Sequence, residues 1–438
     1  MKPLAAHDVL LSPEHALATI LKHAAPLGSE MVALPDLAAA TVPRILAQPL
    51  QSDRLLPPWD NSAMDGYAVR AAEIVVGTPV PLVGVVAAGH PTSQTLAPGT
   101  CLRIMTGAPV PQGADAVIMR EEAEEEADRV RFRSPARPGQ HIRRAGEDIR
   151  PGDRLLPAGA ALAAGEVGVL AAIGRTLVEV HRRPQVAVLS TGDELVPADR
   201  VPGPGQIVNS NSHALAAQIH EAGGIPRLLP IAQDDPDTLR AAFADALRAD
   251  VVVSSGGVSV GQFDYVRDVL AELGAVEQFS RVAMKPGKPL TFSYIDSGSG
   301  QAGRRVLWFG LPGNPASSMV SFELFVRPAL RRMCGLPESA AHRPRAWVTL
   351  AQPVEPDRTR LHFTRAHVER RGDLAPLSAA DGASQPGTQD TLWATPLAWQ
   401  GSGMLRSMIG VHALLHIPPG PRALPAGTRV LATLLAWV

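Results

Sequence analysis

The sequence predicts an α/β plus β chain of several domains, and three observations carry that expectation. From residue 183 to 335, short apolar β-runs alternate with helical segments. Residues 51–146 show only short apolar runs broken by Gly, Pro and Asp. Strand-like runs return between 342 and 438. Strands alternating with helices of about ten residues or more imply an open, mostly parallel sheet. The second stretch reads as an inserted all-β domain, and the third as a separate small β domain. Residues 1–50 and 147–182 form the remaining N-terminal and linking part.

The elements follow in order. Near the start, Ser12 can cap a helix whose first turn holds Pro13, with Leu17, Ile20 and Leu21 on one stripe. Residues 36–47 read as a second short helix crossing Pro43. The acidic run 121–126 reads as a solvated turn or strand edge, and AAGEVGVLAAI at 163–173 as a helix. In the sheet region, strands are expected at 186–189, 228–231, 251–253 and 306–309. Helices are expected at 212–222, 237–248, 264–273 and 316–333. The C-terminal strand runs are WVTL, RLHFTRAHV, ALLHI and RVLATLLAWV, following a Pro-rich joint at AAHRPRAW.

Composition narrows the function. The 438 residues carry 41 basic and 42 acidic side chains, a net charge of −1. Binding nucleic acid by counterion release, or a membrane through a polybasic anchor, needs an excess of Lys and Arg. Cys101 and Cys334 form no CxxC pair, so a disulfide framework and a cysteine zinc site are both disfavoured. The N-terminus shows no apolar secretory core and no stretch reads as a membrane span, so the cytoplasm is the expected compartment. Glycine (39) and proline (41) are frequent, so turns are many. Lysine occurs only at 2, 22, 285 and 288, and asparagine only at 61, 209, 211 and 314. Where such scarce residues stand in Gly-rich loops, a chemical reason is expected.

In an open α/β sheet, ligands sit beyond the carboxyl ends of the strands, near helix N-termini. Four loops fall there. Asp193 and Glu194, in Ser190-Thr191-Gly192-Asp193-Glu194, either hold a divalent metal or a hydroxyl, or merely cap and turn. In Ser254-Ser255-Gly256-Gly257-Val258-Ser259, bare N–H groups and hydroxyls suit an oxyanion, although neither a Walker A loop nor a GxGxxG fingerprint is present. Asp264 then starts the next helix as cap or ligand. Lys285 and Lys288 stand three apart in a Pro-Gly-stiffened loop that suits a phosphate or a tetrahedral oxyanion. Pro312-Gly313-Asn314-Pro315 ends a strand and opens a helix, either as a plain turn or as a reader of a heterocycle or phosphate. Outside the sheet, Asp60 and Asp65 in PPWDNSAMDGYA suit Mg²⁺, or serve only as turn residues. RIMTGAP and HIRRAGED bring Thr106, Arg143 and Asp148. There is no HExxH and no Gly-x-Ser-x-Gly elbow; His362, His412 and His416 read as ordinary strand residues.

PPWDNSAMDGYAV, RIMTGAPVP, IRRAGEDI, STGDEL, SSGGVSVG, KPGKP and GLPGNPAS occur in this order. Together they resemble the molybdopterin molybdenumtransferase family, which comprises bacterial MoeA and the E domain of gephyrin. The resemblance runs from about residue 10 to 335 and is loose beyond, around Gln400-Gly401-Ser402. It implies an elongated, four-domain homodimer with a molybdopterin-binding sheet domain and a barrel-like C-terminal domain. The implied reaction takes adenylylated molybdopterin and molybdate with Mg²⁺, inserts molybdenum and releases AMP. Asp65, Thr106, Arg143 and Asp148 fall on functional positions of the insertion, which meets the partner's sheet domain. Glu194, Asp234, Asp264, Lys285, Lys288, Pro312 and Pro315 fall on those of the sheet domain, with Asp65, Glu194 and Asp264 as metal positions. Ser255, Gly256, Gly257, Ser259, Gly313 and Asn314 complete the expected substrate contacts. Trp59 departs from the family's usual Phe before Asp-Asn-Ser. Two rival readings are an ATP-dependent molybdopterin adenylyltransferase, which would not need the β insertion, and a non-enzymatic peptide-binding scaffold, which would not need clustered anion motifs.

Overall fold

Runs of β-branched residues with no polar alternate set the centre of the fold. Every residue of Val251–Ser255 is buried, and a strand of that kind needs cover on both faces. The computed structural model, which describes residues 10–90, 93–256, 265–297, 304–371 and 391–436, supplies it. Val251–Ser255 pairs in parallel with Gln185–Ser190 on one side and with Arg304–Leu311 on the other. Ile225–Leu228 adds a parallel edge beside Gln185–Ser190. Pro289–Ser297 and Val276–Arg281 add two antiparallel strands at the far side. The two-residue period divides the core. Val186, Val188, Val253, Leu307 and Phe309 pack on one face with Leu215 and Ile219 of helix Asn211–Glu221. Ala187, Leu189, Val252 and Trp308 face the other side, against Leu239 and Phe243 of Pro236–Ala246 and Val266 and Val269 of Tyr265–Glu272.

Several expectations shift. The strand expected at 228–231 is Ile225–Leu228, starting directly after Gly223-Gly224 ends the preceding helix. The helix expected over 36–47 covers only Leu34–Ala38. Thr41-Val42 and the restriction that Pro43 puts on its predecessor favour extended backbone, and Arg44–Ile45 is a strand. The long helix runs as Pro315–Ser321, a π-turn at Phe322–Val326, and Arg327–Met333. Pro328 explains the π-turn: it has no N–H to give and crowds the carbonyl four residues back. Val276–Arg281 and Pro289–Ser297 are strands that the sequence reading did not place.

The C-terminal part is a closed barrel. Arg345–Leu350, Leu361–Arg371, Thr391–Pro396, Ala413–Ile417 and Arg429–Leu434 pair around a ring closed by Leu361–Arg371 with Ala413–Ile417. Met284–Lys285 joins Leu361–Arg371 as a parallel extra strand. Sheet and barrel, with residues 10–31 and 39–47, form one compact unit.

Residues 32–38 and 48–178 form a second unit. Its six-stranded sheet runs in the order Ala116–Met119, Gly66–Val69, Cys101–Ile104, Pro79–Val86, Arg129–Phe132, Ala123–Glu126. The acidic run thus lies on an edge strand. Ala164–Ala172 is the expected helix. Among the described residues no helix is long and apolar enough to cross a membrane.

One half-buried ion pair, with its carboxylate buried, anchors the entry to the central strands. Asp250 takes two hydrogen bonds from Arg182, at 2.7 and 2.8 Å, and one from the Gln185 amide at 2.9 Å. Burial alone would raise its pKa, but these donors win and hold it below 3.8. Asp250→Ala should therefore destabilise the protein by about 2 kcal/mol at neutral pH, because Arg182 loses its partner. The wild-type advantage is full above the unfolded carboxyl pKa and is lost as pH falls through the lower folded value. Chemical denaturation at pH 7 and pH 3 should show the gap closing at the acidic end.

Candidate functional site

Parallel register brings three strands to the same level: Ser190 lies opposite Ser255, and Ser255 opposite Leu311. The loops that follow therefore emerge together at the carboxyl edge. They enclose a cavity of about 620 Å³, lined by Ser190, Thr191, Glu194, Asn209, Asn211, Ser255, Gly256, Gly313, Asn314 and Pro315, among others. Two glycines keep its floor low. Gly256 has φ +99°, and a Cβ there would lie 2.5 Å from the Thr191 carbonyl oxygen. Gly313 faces it, with the Gly256 Cα 3.9 Å from where its own Cβ would stand.

A polar network fixes the walls. Ser190 Oγ donates to Asn209 Oδ1 at 3.2 Å and lies 2.8 Å from Ser212 Oγ, which accepts from Asn209 Nδ2 at 2.8 Å. Asn211 Nδ2 donates to Ser255 Oγ at 2.7 Å and to the Gly313 carbonyl at 2.8 Å, tying two loops together. Thr191 Oγ1 is buried on this wall without a partner. Among the described residues Glu194 is the one charged side chain in the lining. Nearby, Asp193 Oδ1 accepts from the Asp234 amide at 3.1 Å. The Asp234 carboxyl is held above its ordinary value by desolvation, then by the charges of Asp193 and Glu194. A cation beside these carboxylates would relieve that crowding.

The barrel reaches the same place through residues 400–403. The Ser402 carbonyl accepts from the amides of Ala316 and Ser317, at 3.1 and 3.3 Å, satisfying the helix start. Asn314 Nδ2 donates to Ser402 Oγ at 3.1 Å, and Gly403 lines the cavity. Behind this loop stands Arg365, fully buried, whose Nη2 donates to the Trp399 and Gly401 carbonyls at 3.4 and 3.3 Å. Its Nε and Nη1 have no partner, and burial pushes its pKa down to about 10. On the same strand, His362 sits opposite Lys285 with both ring nitrogens buried. Burial, then the Lys285 charge, pushes His362 down to about 4. Ser318 and Ser321 also carry buried hydroxyls without partners, and Gly287 leaves room for the latter: a Cβ there would lie 2.5 Å from Ser321 Oγ.

Of the residues singled out from sequence, Glu194, Ser255, Gly256, Gly313, Asn314 and Pro315 line the cavity together. Pro312 is buried just before them, and Asp234 adjoins through Asp193. Lys285 and Lys288 do not line it: Lys285 Nζ lies 3.8 Å from Asp357 Oδ2, and Lys288 is exposed. The cavity is therefore polar and weakly acidic, and the cationic groups Lys285 and Arg365 lie on the barrel pairing. Gly257, Ser259 and Asp264 lie outside the described residues. Asp65, Thr106, Arg143 and Asp148 belong to the second unit, and all four are exposed. There Asp65 Oδ1 accepts from the Thr106 amide and hydroxyl, both at 2.7 Å, which hold its carboxyl below the usual range. Asn209, Asn211, Arg365 and Ser402 were not singled out. The scarcity of asparagine was the available signal for the first two.

Comparison with known proteins shows what the chain is similar to. The family model for the MoeA N-terminal region (domain I and II) matches residues 11–174. That for a probable molybdopterin binding domain matches 187–332, and that for the MoeA C-terminal region (domain IV) matches 348–435. A molybdopterin molybdenumtransferase of Nostoc is 44% identical over 299 residues, covering 67% of each chain. Molybdopterin molybdenumtransferase 2 of Mycobacterium tuberculosis is 37% identical over 387 residues, covering 86% of this chain and 88% of that one. The Bacillus subtilis molybdopterin molybdenumtransferase is 33% identical, covering 93% and 90%. A solved structure of the molybdopterin biosynthesis MoeA protein from Pyrococcus horikoshii superposes with a TM-score of 0.77 at 31% identity, covering 98% of this chain and 100% of that one.

The two floor glycines should respond differently to substitution. Gly256→Ala adds a Cβ against backbone at a left-handed φ and should cost about 1–3 kcal/mol. Gly313→Ala meets nothing closer than ordinary contact and should shift Tm by no more than about 2 °C. Thermal melts of both variants check this.

Proposed function

The chain belongs to the molybdopterin molybdenumtransferase (MoeA) family, and from that premise we propose that it inserts molybdenum from molybdate into adenylylated molybdopterin with release of AMP. The observation that carries the reading is the convergence of three strand-end loops on one polar, weakly acidic cavity of about 620 Å³, a size suited to a nucleotide-bearing ligand. Asn211, Asn314 and the Ser255-Gly256 backbone bind and orient the adenylylated pterin. The buried guanidinium of Arg365, with Lys285 and the Ser318 hydroxyl, holds molybdate. A tetrahedral dianion suits charged forks and hydroxyl donors that are buried and still unpaired. In the balanced reaction, water adds to phosphorus as the P–O–P bridge breaks, AMP leaves with one phosphate, and the other stays on the pterin. Molybdate gives up oxygen as water, taking the thiol protons as the metal–sulfur bonds form, without redox change.

Mg²⁺ is implied by the family resemblance, and the residues fit it. It takes hard oxygen ligands and keeps several waters, so one or two carboxylates suffice. Glu194, with Asp234 beside it, is such a set, and Asp264 and Asp65 are the further candidates. Among the described residues no three His, Cys, Asp or Glu form a complete cage. When bound, Mg²⁺ would neutralise pyrophosphate charge; Glu194 and Asp234 would hold its waters in place. We further infer a homodimer in which Asp65, Thr106, Arg143 and Asp148 of one protomer serve the cleft of its partner. Their exposure supports that reading. The cytoplasm is the matching compartment, consistent with free Cys101 and Cys334.

Purified protein given adenylylated molybdopterin, Mg²⁺ and molybdate should release AMP in proportion to molybdenum inserted. No AMP, or pyrophosphate made from ATP and molybdopterin instead, would refute the reading. Arg365→Lys and Lys285→Ala should each raise the molybdate needed for half-maximal AMP release about tenfold or more while Tm is kept; unchanged curves would remove both from the oxyanion site. Mixing Asp65→Ala with Glu194→Ala subunits should restore part of the activity that each homodimer lacks, since some mixed dimers carry one intact site. No recovery after subunit exchange would exclude a shared site.

A further inference from the structure

Apart from the cleft, the strongest unassigned feature is a concavity of about 660 Å³ where helix Arg327–Met333 meets the segment that enters the barrel. Arg327, Arg331, His342, Arg343 and Arg345 line it. Its charges do not balance. Glu323, buried, is shared: its Oε2 lies 2.9 Å from Arg343 Nε and 3.8 Å from Arg327 Nε, while Oε1 accepts from Gln218 at 2.9 Å. Glu221 lies 3.6 Å from Arg343 Nη2. Arg331 and Arg345 make no ion pair among the described residues. Four guanidiniums thus stand beside three carboxylates, Glu221, Glu323 and Glu338.

The deepest of them is also incompletely satisfied. Arg327 is 8% exposed, and its Nη1 is buried without a hydrogen-bond partner. A buried charged donor left unpaired is costly, so its retention calls for a partner that arrives from outside. Burial first, offset in part by Glu323, and then Arg343 and Arg331 push Arg327 down to about 10. Burial and then Arg345 lower His342, with Glu338 opposing. In both, burial is the larger cause and neighbouring positive charge adds to it.

We propose that this concavity binds a di- or triphosphate chain. The planar guanidinium fork pairs with two oxygens of one phosphate, and two unpaired forks beside an orphaned third fit several linked phosphates better than a single carboxylate. Among the described residues no Phe, Tyr or Trp lines the concavity, and His342 is its only ring, so recognition rests chiefly on the phosphates themselves, whether inorganic or carried by a nucleotide.

Calorimetric titration of the full chain with tripolyphosphate, and separately with ATP, at about 0.15 M salt tests this. Saturable binding is expected, weakened at least about tenfold in the Arg331→Ala/Arg345→Ala double variant. These side chains make no ion pairs, so the fold should be kept. Asn314→Ala, which alters the cleft, should leave binding unchanged and so separates this proposal from the cleft assignment. Equal affinities for tripolyphosphate and ATP support recognition of the chain alone, and tighter ATP supports a nucleotide as its source. No binding by about 1 mM, binding unaffected by the double variant, or binding lost in Asn314→Ala would overturn the proposal.

Discussion

In-register parallel pairing of Gln185–Ser190, Val251–Ser255 and Arg304–Leu311 is the constraint on which the site depends. Because the three strands end level, their loops start level, and short side chains suffice to close a cavity over them. A shift of one residue in any strand would also turn Val186 and Val188, or Val252 and Trp308, to the wrong face of the sheet. The same hydrophobic period that stabilises the sheet thereby fixes where Ser190, Ser255 and Leu311 stop. Core and site cannot be tuned independently here.

The polar groups fall into two sets with different electrostatic character. Apart from the Thr191 hydroxyl, the cavity walls use amides and hydroxyls that satisfy one another, with Glu194 as the only charge in the lining among the described residues. The cationic groups, Arg365 and Lys285, sit on the barrel pairing behind residues 400–403. Keeping Arg365 dry while two of its nitrogens lack partners costs stability. The neighbouring backbone offsets only part of that, through the Trp399 and Gly401 carbonyls. Such a cost is reasonable where an anion completes the set, and the proposed oxyanion role follows from it. The barrel is then more than an appendage, since it brings the guanidinium and also satisfies the helix start at Ala316 and Ser317.

Much of this was legible from residues alone. The β-run at 186–189 and the loop motifs at strand ends pointed to the cleft; asparagine scarcity was noted but led only to Asn314, although three of the four asparagines line the cavity. Less could be read where the physics is not local. VEQFSR at 276–281 has no clean alternation, so its strand was missed. The helix expected over 316–333 was read as continuous, and the π-turn ahead of Pro328 was not foreseen. Lys285 stood out by rarity and was expected beside the Gly loops, whereas its strand pairs with the barrel. Arg365 is one of many arginines and nothing in its local sequence marks it as buried. The reach of residues 400–403 to Asn314 is a tertiary contact that no spacing encodes.

The central claim is that the strand-end cavity receives the adenylyl moiety and the barrel side receives the metal oxyanion. A crystal structure of the protein soaked with AMP and molybdate tests it most directly. The account requires AMP density between Ser255-Gly256 and Asn314, and an anomalous molybdenum peak within hydrogen-bonding reach of Arg365. AMP bound away from those loops, or molybdenum far from Arg365, would contradict it.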